Sequence, residues 1–216
     1  MISALTFAWL CLSTMFLILW LIHLRINNAG IVDLGWGMGF IMLVLIYTDH
    51  FEGYYLRDLM LISLIVVWGL RITFFLIKRL AHERGEDGRY QIIRQAWGSH
   101  IALKFFILFQ MQGVLQMIIS LPLLFASRST LPSIQWWEIT GTLIFMASFF
   151  GEVLADEQLH RFRSRSENQG KVCDSGLWRY SRHPNYFFEW LIWVGMAVFS
   201  VGHEGGWVGL LSPVVM

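Results

Sequence analysis

Apolar residues come in long blocks separated by short polar seams, and the block lengths predict the elements. Apolar runs occupy roughly 3–24, 30–48, 58–78, 101–126, 136–155 and 185–202, and another begins at 206 and reaches 216. Each of the first six is about as long as a helix needs to cross ~30 Å of hydrocarbon. Lipid offers the backbone no hydrogen-bond partners, so such runs must satisfy their own N–H and C=O groups as helices. The pattern therefore predicts an all-α, polytopic membrane bundle of six transmembrane helices plus the start of a seventh. Residues 1–216 read as a single integral membrane domain without tandem repeats or a Pro/Gly-rich linker. The first run has no basic leader and no small-residue cleavage site, which predicts a retained helix and not a secretory signal.

Composition agrees: 56% of residues are hydrophobic and 14% charged, whereas soluble domains carry about a quarter charged residues. A net charge of +1 argues against a nucleic-acid partner. Cys11 and Cys173 stand far apart without ligand spacing, so neither a disulfide framework nor a bound metal is expected. Thirteen of the sixteen Lys and Arg residues fall in loops 25–29, 78–104 and 155–184, while Arg57 and Arg128 lie on the other side and Arg71 within a span. By the positive-inside rule those three loops are cytoplasmic and the N-terminus is outside. Trp136, Trp137, Tyr54 and Tyr55 fall where an outer aromatic belt would lie.

Several polar groups sit inside or beside the apolar runs, where an ionised side chain costs ~3 kcal/mol or more without a partner or water. They include Asp33, Arg71, Lys104, Gln110, Gln112, Glu152, Asp156 and Glu189. Taken singly, each is explained by snorkelling or by stitching helices together. Their spacing joins them: Glu152, Asp156, Leu159 and Arg163 share one helical stripe, Arg71, Phe75 and Arg79 another, and Asn185 and Glu189 a third. The stretch GLWRYSRHPNYFFEW (176–190) puts Pro184 at a helix start. Arg179, Tyr180, Arg182 and His183 lead directly into it. Free amides and the helix dipole favour an anion there, and arginines supply paired donors for phosphate or carboxylate. His183 reads as a phosphate contact, a helix cap or a solvated residue. RGEDGRY (84–90) adds Arg89 and Tyr90 on the same side. No Walker loop and no GxGxxG after a strand is present, which excludes a soluble-type nucleotide fold.

The segments DLGWGMGF (33–40), WGLRITFFLIKR (68–79), GEDGRY (85–90), GEVLADEQLHRFR (151–163) and above all GLWRYSRHPNYFFEW (176–190) resemble the steroid 5α-reductase-like membrane proteins, most closely their uncharacterised microbial branch. The resemblance covers nearly the whole chain. It implies an NADPH-dependent reductase of a C=C bond next to a carbonyl in a lipid-like or steroid-like substrate. It also implies cofactor contacts from Arg71, Asp156, Arg163, Tyr180, Asn185 and Glu189, with Glu152 where Asn is frequent. Taken with the stripes and loops above, the candidate cofactor set is Arg71, Arg79, Arg89, Tyr90, Glu152, Asp156, Arg163, Tyr180, Arg182, His183, Asn185 and Glu189. Asp33 is the candidate catalytic acid, because a partly desolvated carboxyl on the second span is suited to stabilise an enolate; capping its helix or pairing with Arg71 are its other readings. In the steroid branch a Tyr stands three residues before this arginine, where this chain has Trp68, which broadens the expected substrate to other enone-like lipids. The resemblance also implies a further helix and a polar tail beyond Met216 that give His and Tyr to the cofactor pocket.

RHPNY also resembles the membrane methyltransferases of isoprenylcysteine carboxylates, in which the same helix start holds S-adenosylmethionine. The number of arginines favours a dinucleotide carrying a 2′-phosphate. A non-enzymatic membrane protein with stitched helices is the third reading.

Overall fold

The computed structural model describes residues 1–82 and 85–216; Arg84, one of the basic loop residues counted above, lies outside them. Helices stop where the apolar runs meet residues that cap or bend the chain. Helix α1 (Ile2–Ile26) ends at Asn27, whose left-handed backbone (φ 52°) lets its N–H reach the His23 carbonyl at 2.8 Å. A 3₁₀ turn, Ala29–Asp33, follows, with the Asn28 side chain accepting from the Gly30 N–H at 2.9 Å. Then come α2 (Leu34–His50), α3 (Tyr55–His82), α4 (Gly88–Trp97), α5 (Ile101–Ile119), α6 (Leu121–Ser127), α7 (Trp136–Arg163), α8 (Pro184–Val201) and α9 (Leu211–Val215).

Among the described residues, five helices are long and apolar enough to cross a membrane: α1, α2 with the turn before it, α3, α5 and α7. Helix α8, the sixth expected span, opens with Pro184, Asn185 and Glu189 in its first two turns, and so falls short of them in apolarity. It still packs more extensively on α7 than any other pair of helices and buries Ile192, Trp193, Met196 and Phe199. The 101–126 run breaks into α5 and α6 around Ser120. Pro122 explains the break, since a proline in a helix interior clashes with the carbonyl four residues back and donates no N–H. The last run forms a 3₁₀ turn, Gly206–Leu210, and the short α9.

Two glycine pairs set the helix spacing. A Cβ on Gly37 of α2 would lie 2.5 Å from the Gly69 carbonyl of α3, and one on Gly141 of α7 would lie 2.6 Å from the Gly195 carbonyl of α8. Small residues at such crossings let backbones approach closely, which is how helices gain packing energy in lipid. Phe40, Trp68 and Trp193 interlock at the centre, with ring centroids 4.4–5.7 Å apart. The outer faces carry large exposed apolar groups, among them Phe7, Leu70, Phe74, Leu143 and Phe150. Apolar surface this extensive belongs against lipid. The chain is an integral membrane helical bundle.

Toward one end, Arg57 of α3 is wholly buried and bonds Glu138 of α7. It also donates to the carbonyls of Ser129 (3.2 Å), Leu131 (3.1 Å) and Ser133 (2.9 Å). That knot ties the 128–135 loop to α3 and α7.

Candidate functional site

Toward the opposite end, α2, α3, α4, α7 and α8 surround a cavity of about 1510 Å³. Drug-sized ligand pockets run to roughly 300–1,000 Å³, so this one has room for a large ligand. Glu152, Asp156, Leu159 and Arg163, the stripe read from α7, all line it. So do Arg71 and Arg79 of α3, Arg89 and Tyr90 of α4, Asn185 and Glu189 of α8, Asp33 before α2, and His183. Tyr180 and Arg182 do not: both point to solvent in the turn between the 3₁₀ helix Gly176–Arg179 and α8, Tyr180 being 86% exposed. The 176–190 stretch supplies His183, Asn185 and Glu189 because these sit on or just before the helix, whereas the turn aims its own side chains outward.

Arg71 is the hub of the buried part. Its guanidinium bonds Glu152 through one amino group and Asp156 through the other, the fork geometry for which arginine is suited. Asn185 donates to Asp156 at 3.2 Å, and the Trp36 indole N–H reaches Glu189 at 3.4 Å. Glu152 is 4% exposed and Glu189 7%. Each keeps an oxygen (Oε2) that has no hydrogen-bond partner among the described residues, as does Asn185 through Oδ1. All three open atoms are acceptors or carboxyl oxygens. Buried polar atoms are rarely left open without a reason.

Charge is sorted along the cavity. Along α7 the stripe passes from Glu152 and Asp156 to His160 and Arg163, a rise of about 16 Å at 1.5 Å per residue. Helix α8 repeats the order, with Glu189 within and His183 at its start. Arg163 is exposed and makes no ion pair among the described residues. The His183 ring stacks on Tyr186 at 5.2 Å, and its side chain does not cap α8. One end of the cavity is therefore acidic and enclosed, while the other is open and mixed, with Arg79 and Arg89 paired to Asp33 and Asp87 and with Arg163 and His183 exposed.

Asp33 neither caps α2 through its side chain nor pairs with Arg71. It accepts hydrogen bonds from the Tyr90 hydroxyl at 2.7 Å and from Arg89 at 3.1 Å, with Arg79 at 4.0 Å. The 85–94 segment is built to hold Tyr90 there. Gly85 adopts φ +117°, and the Asp87 side chain caps α4 by accepting from the Arg89 N–H at 2.8 Å. Arg94 grips Glu86 at 2.9 and 2.7 Å, and Glu86 also accepts from the Ala29 N–H at 2.8 Å. Burial opposes the charge on Glu86, but these hydrogen bonds outweigh it and hold the carboxyl below its usual range. The hydrogen bonds from Arg89 do the same for Asp87. Burial, followed by the neighbouring Asp33 carboxylate, pushes the Tyr90 phenol well above the ordinary tyrosine range.

Trp68, at the position where the resemblance implies Tyr, is fully buried between Phe40 and Trp193 and does not line the cavity. Trp36, Gln112, His160, Trp178 and Tyr186 line it without having been singled out for this site. Helical spacing carried a signal for two of them, since Trp36 follows Asp33 by three residues and His160 follows Asp156 by four. Trp178 carried none: it lies in a 3₁₀ turn, placed by its indole N–H donating to the Ala155 carbonyl at 2.8 Å.

Comparison with known proteins places this geometry in a family. The family described as "Protein of unknown function (DUF1295)" matches residues 19–216. The "Uncharacterized protein C594.04c" of Schizosaccharomyces pombe is 25% identical over 90% of this chain and 66% of its own length. "Steroid 5-alpha-reductase DET2" of Gossypium hirsutum is 33% identical over 34% of this chain and 28% of its own. The chain thus spans less than two thirds of either relative. No solved structure matches it. With the family covering all but the first 18 residues, the chain belongs to the steroid 5α-reductase-like membrane proteins.

Proposed function

We propose that the protein is an NADPH-dependent membrane reductase that saturates a C=C bond conjugated to a carbonyl in a lipid-like substrate, its cofactor site facing the cytoplasm and its N-terminus outside. The charge-sorted cavity carries this reading. Its open end suits phosphates, which Arg163 and His183 would hold, with Arg79 and Arg89, paired to Asp33 and Asp87, beside them. Its enclosed end is lined by Glu152, Asn185 and Glu189, acceptor-bearing side chains of the kind that suit a carboxamide N–H₂. Family membership points the same way, and the Lys/Arg-rich loops favour the cytoplasmic orientation.

When bound, the cofactor supplies the hydride; the protein's part is to bind, orient and polarise. Asp33 holds the Tyr90 phenol at the cavity wall by accepting its single O–H; to polarise the substrate carbonyl oxygen that O–H would turn from Asp33, still held by Arg89, to the oxygen on which negative charge develops. The elevated range of Tyr90 keeps it an O–H across physiological pH. Asp33 is then a positioning residue that sets where Tyr90 stands before the substrate arrives. With Trp68 buried, the α3 tyrosine of the steroid branch has no counterpart on the cavity wall, which favours an enone lipid other than a steroid.

The test is to titrate the purified protein in nanodiscs with NADPH and, separately, with S-adenosylmethionine, following thermal stability. Saturable stabilisation by NADPH is expected. Stabilisation by S-adenosylmethionine alone would replace the reductase with a methyltransferase.

A further inference from the structure

Membrane-spanning helix α5 carries three glutamines, Gln110, Gln112 and Gln116. Two of them have tasks within the bundle. Gln110 accepts from the Ser13 hydroxyl of α1 at 2.8 Å and donates to the Ser13 carbonyl at 3.3 Å. Gln116 donates to the carbonyls of Gly35 at 2.8 Å and Trp36 at 3.2 Å, at the start of α2. Gln112 makes no hydrogen bond among the described residues. It stands about 16 Å along α5 from Ile101, well inside the span. It also faces inward: Phe105, Phe109, Gln112 and Gln116 follow i, i+4, i+7, i+11, and the other three are wholly buried. Half-buried itself, Gln112 lines the large cavity from the α5 side. The other donors in the interior of that cavity are already directed at partners: Trp36 at Glu189, Asn185 at Asp156, Arg71 at Glu152 and Asp156, and Tyr90 at Asp33. Among the described residues, Gln112 is therefore the uncommitted donor of the interior. Its neighbourhood is that of Tyr90, because Gln116, one turn along the same stripe, holds the backbone two and three residues beyond Asp33. An amide left unpaired inside the span costs free energy that a ligand oxygen would recover.

We propose that Gln112 is a catalytic residue whose amide N–H₂ donates a hydrogen bond to the carbonyl oxygen of the conjugated substrate, beside Tyr90. The inference deepens the reductase reading above and rests on it. Tyr90 has to give up Asp33 to reach the substrate, whereas Gln112 gives up nothing. Its donor is available before negative charge develops on the oxygen, which is the condition for stabilising that charge without reorganisation. An amide keeps its protons, so Gln112 stabilises the oxygen and leaves proton supply to other groups. The substrate class follows from its place in the span: a lipid whose enone lies within the apolar body, and not in a charged headgroup.

The experiment uses the full chain in nanodiscs with NADPH and a straight-chain, an isoprenoid and a steroid enone as probes. Gln112→Leu keeps the bulk and removes the amide. Without ligand it is expected to melt at or above the temperature of the unaltered protein, because no bond within the bundle is lost. A variant that fails to fold, or melts well below the unaltered protein, makes Gln112 a stitching residue and overturns the inference. On a probe that the unaltered protein reduces, kcat is expected to fall about a hundred-fold or more, with KM and the NADPH dissociation constant changed far less. Isotope-edited infrared spectra of the same probe bound together with NADP⁺, where no turnover occurs, give the second readout. The C=O band is expected at higher frequency in Gln112→Leu, since the oxygen has lost a donor. An unmoved band, an unchanged kcat or a loss confined to KM overturns the inference while leaving the reductase reading intact. If no probe is bound or reduced by the unaltered protein, the reductase reading itself fails and the inference falls with it.

Discussion

Replacing Arg71 by Met gives the sharpest test of the buried ion cluster. The Arg71 side chain is 19% exposed, and the side chains of its partners Glu152 and Asp156 are 5% and 11% exposed. Removing the guanidinium leaves two carboxylates facing each other, with Glu189 beside them, in a largely desolvated place. Breaking a buried pair by deleting one partner costs about 3–5 kcal/mol, mostly because the remaining charge is uncompensated. For a chain of this length each kcal/mol moves the melting temperature by about 2–4 °C, so the fall should be on the order of 10 °C. Thermal unfolding in nanodiscs measures it. Arg71→Lys keeps the charge but loses the fork, so it should fall between the two. The decisive comparison adds Glu152→Gln and Asp156→Asn to Arg71→Met. If uncompensated charge is the cause, the triple variant is more stable than Arg71→Met alone, a non-additivity expected of groups in contact. A triple variant less stable than the single one, or a single variant that melts with the unaltered protein, would refute the reasoning.

Arg163→Ala should melt within about 2 °C of the unaltered protein, because Arg163 is exposed and makes no ion pair among the described residues. Its NADPH affinity should fall about ten-fold or more by calorimetry, with a weaker dependence on salt. Gly141→Ala puts a Cβ 2.6 Å from the Gly195 carbonyl and should destabilise by about 1–3 kcal/mol in chemical unfolding. Gly88→Ala meets nothing within 4 Å and should be neutral or stabilising by up to ~1 kcal/mol. Glu86 is held below its ordinary value of 4.5, so its contribution is complete above that pH and is lost as acidification passes through the lower folded value. Amide exchange of α4 should therefore differ between the unaltered protein and Glu86→Gln by a constant factor above about pH 5, and the difference should shrink only below about pH 4.

Much of this architecture is legible in the sequence because the bilayer leaves few options. An apolar run of 20 residues has one conformation open to it in lipid, so α1, α2, α3, α5 and α7 follow from length and hydropathy. The α7 stripe is legible for the same reason: once the helix is assumed, the 3.6-residue period puts Glu152, Asp156, Leu159 and Arg163 on one face. Local pattern fails where tertiary contacts decide. Pro122 is a visible signal for breaking the 101–126 run, but hydropathy averaged over a long window smooths it away. The outward turn of Tyr180 and Arg182 depends on how the loop from 164 to 183 folds back on α7, where Gln158 accepts from the Leu177 N–H at 2.8 Å and Ala155 accepts from Trp178. The partner of Asp33 is likewise set by a contact spanning 57 residues, which no periodicity encodes.

Among the described residues the bundle carries two buried ionic knots, and the difference between them separates a stitching role from a binding role. In the Arg57 knot both carboxyl oxygens of Glu138 are engaged, Oε1 by Arg57 and Oε2 by the Gln135 N–H, while Arg57 spreads its donors over three loop carbonyls. Ligation of Arg57 and Glu138 is complete there, although the buried His203, 3.4 Å from Glu138 Oε1, has no hydrogen-bond partner for either ring nitrogen among the described residues, and the large cavity does not reach the knot. The Arg71 knot reaches the same kind of pairing and then stops short of completion. Glu152, Asn185 and Glu189 each keep an open oxygen beside a cavity large enough for a dinucleotide. Had helix stitching been the only requirement, an amide or an aliphatic side chain at 152 or 189 would have served without the cost of burying incompletely bonded acids. Retaining acids there makes sense when a ligand completes their hydrogen bonding, and the ligand's contacts then contribute to the stability of the bundle. A stitching role predicts that Glu189→Gln only changes the melting temperature of the free protein; a binding role predicts that it changes chiefly the additional stabilisation gained on adding the cofactor.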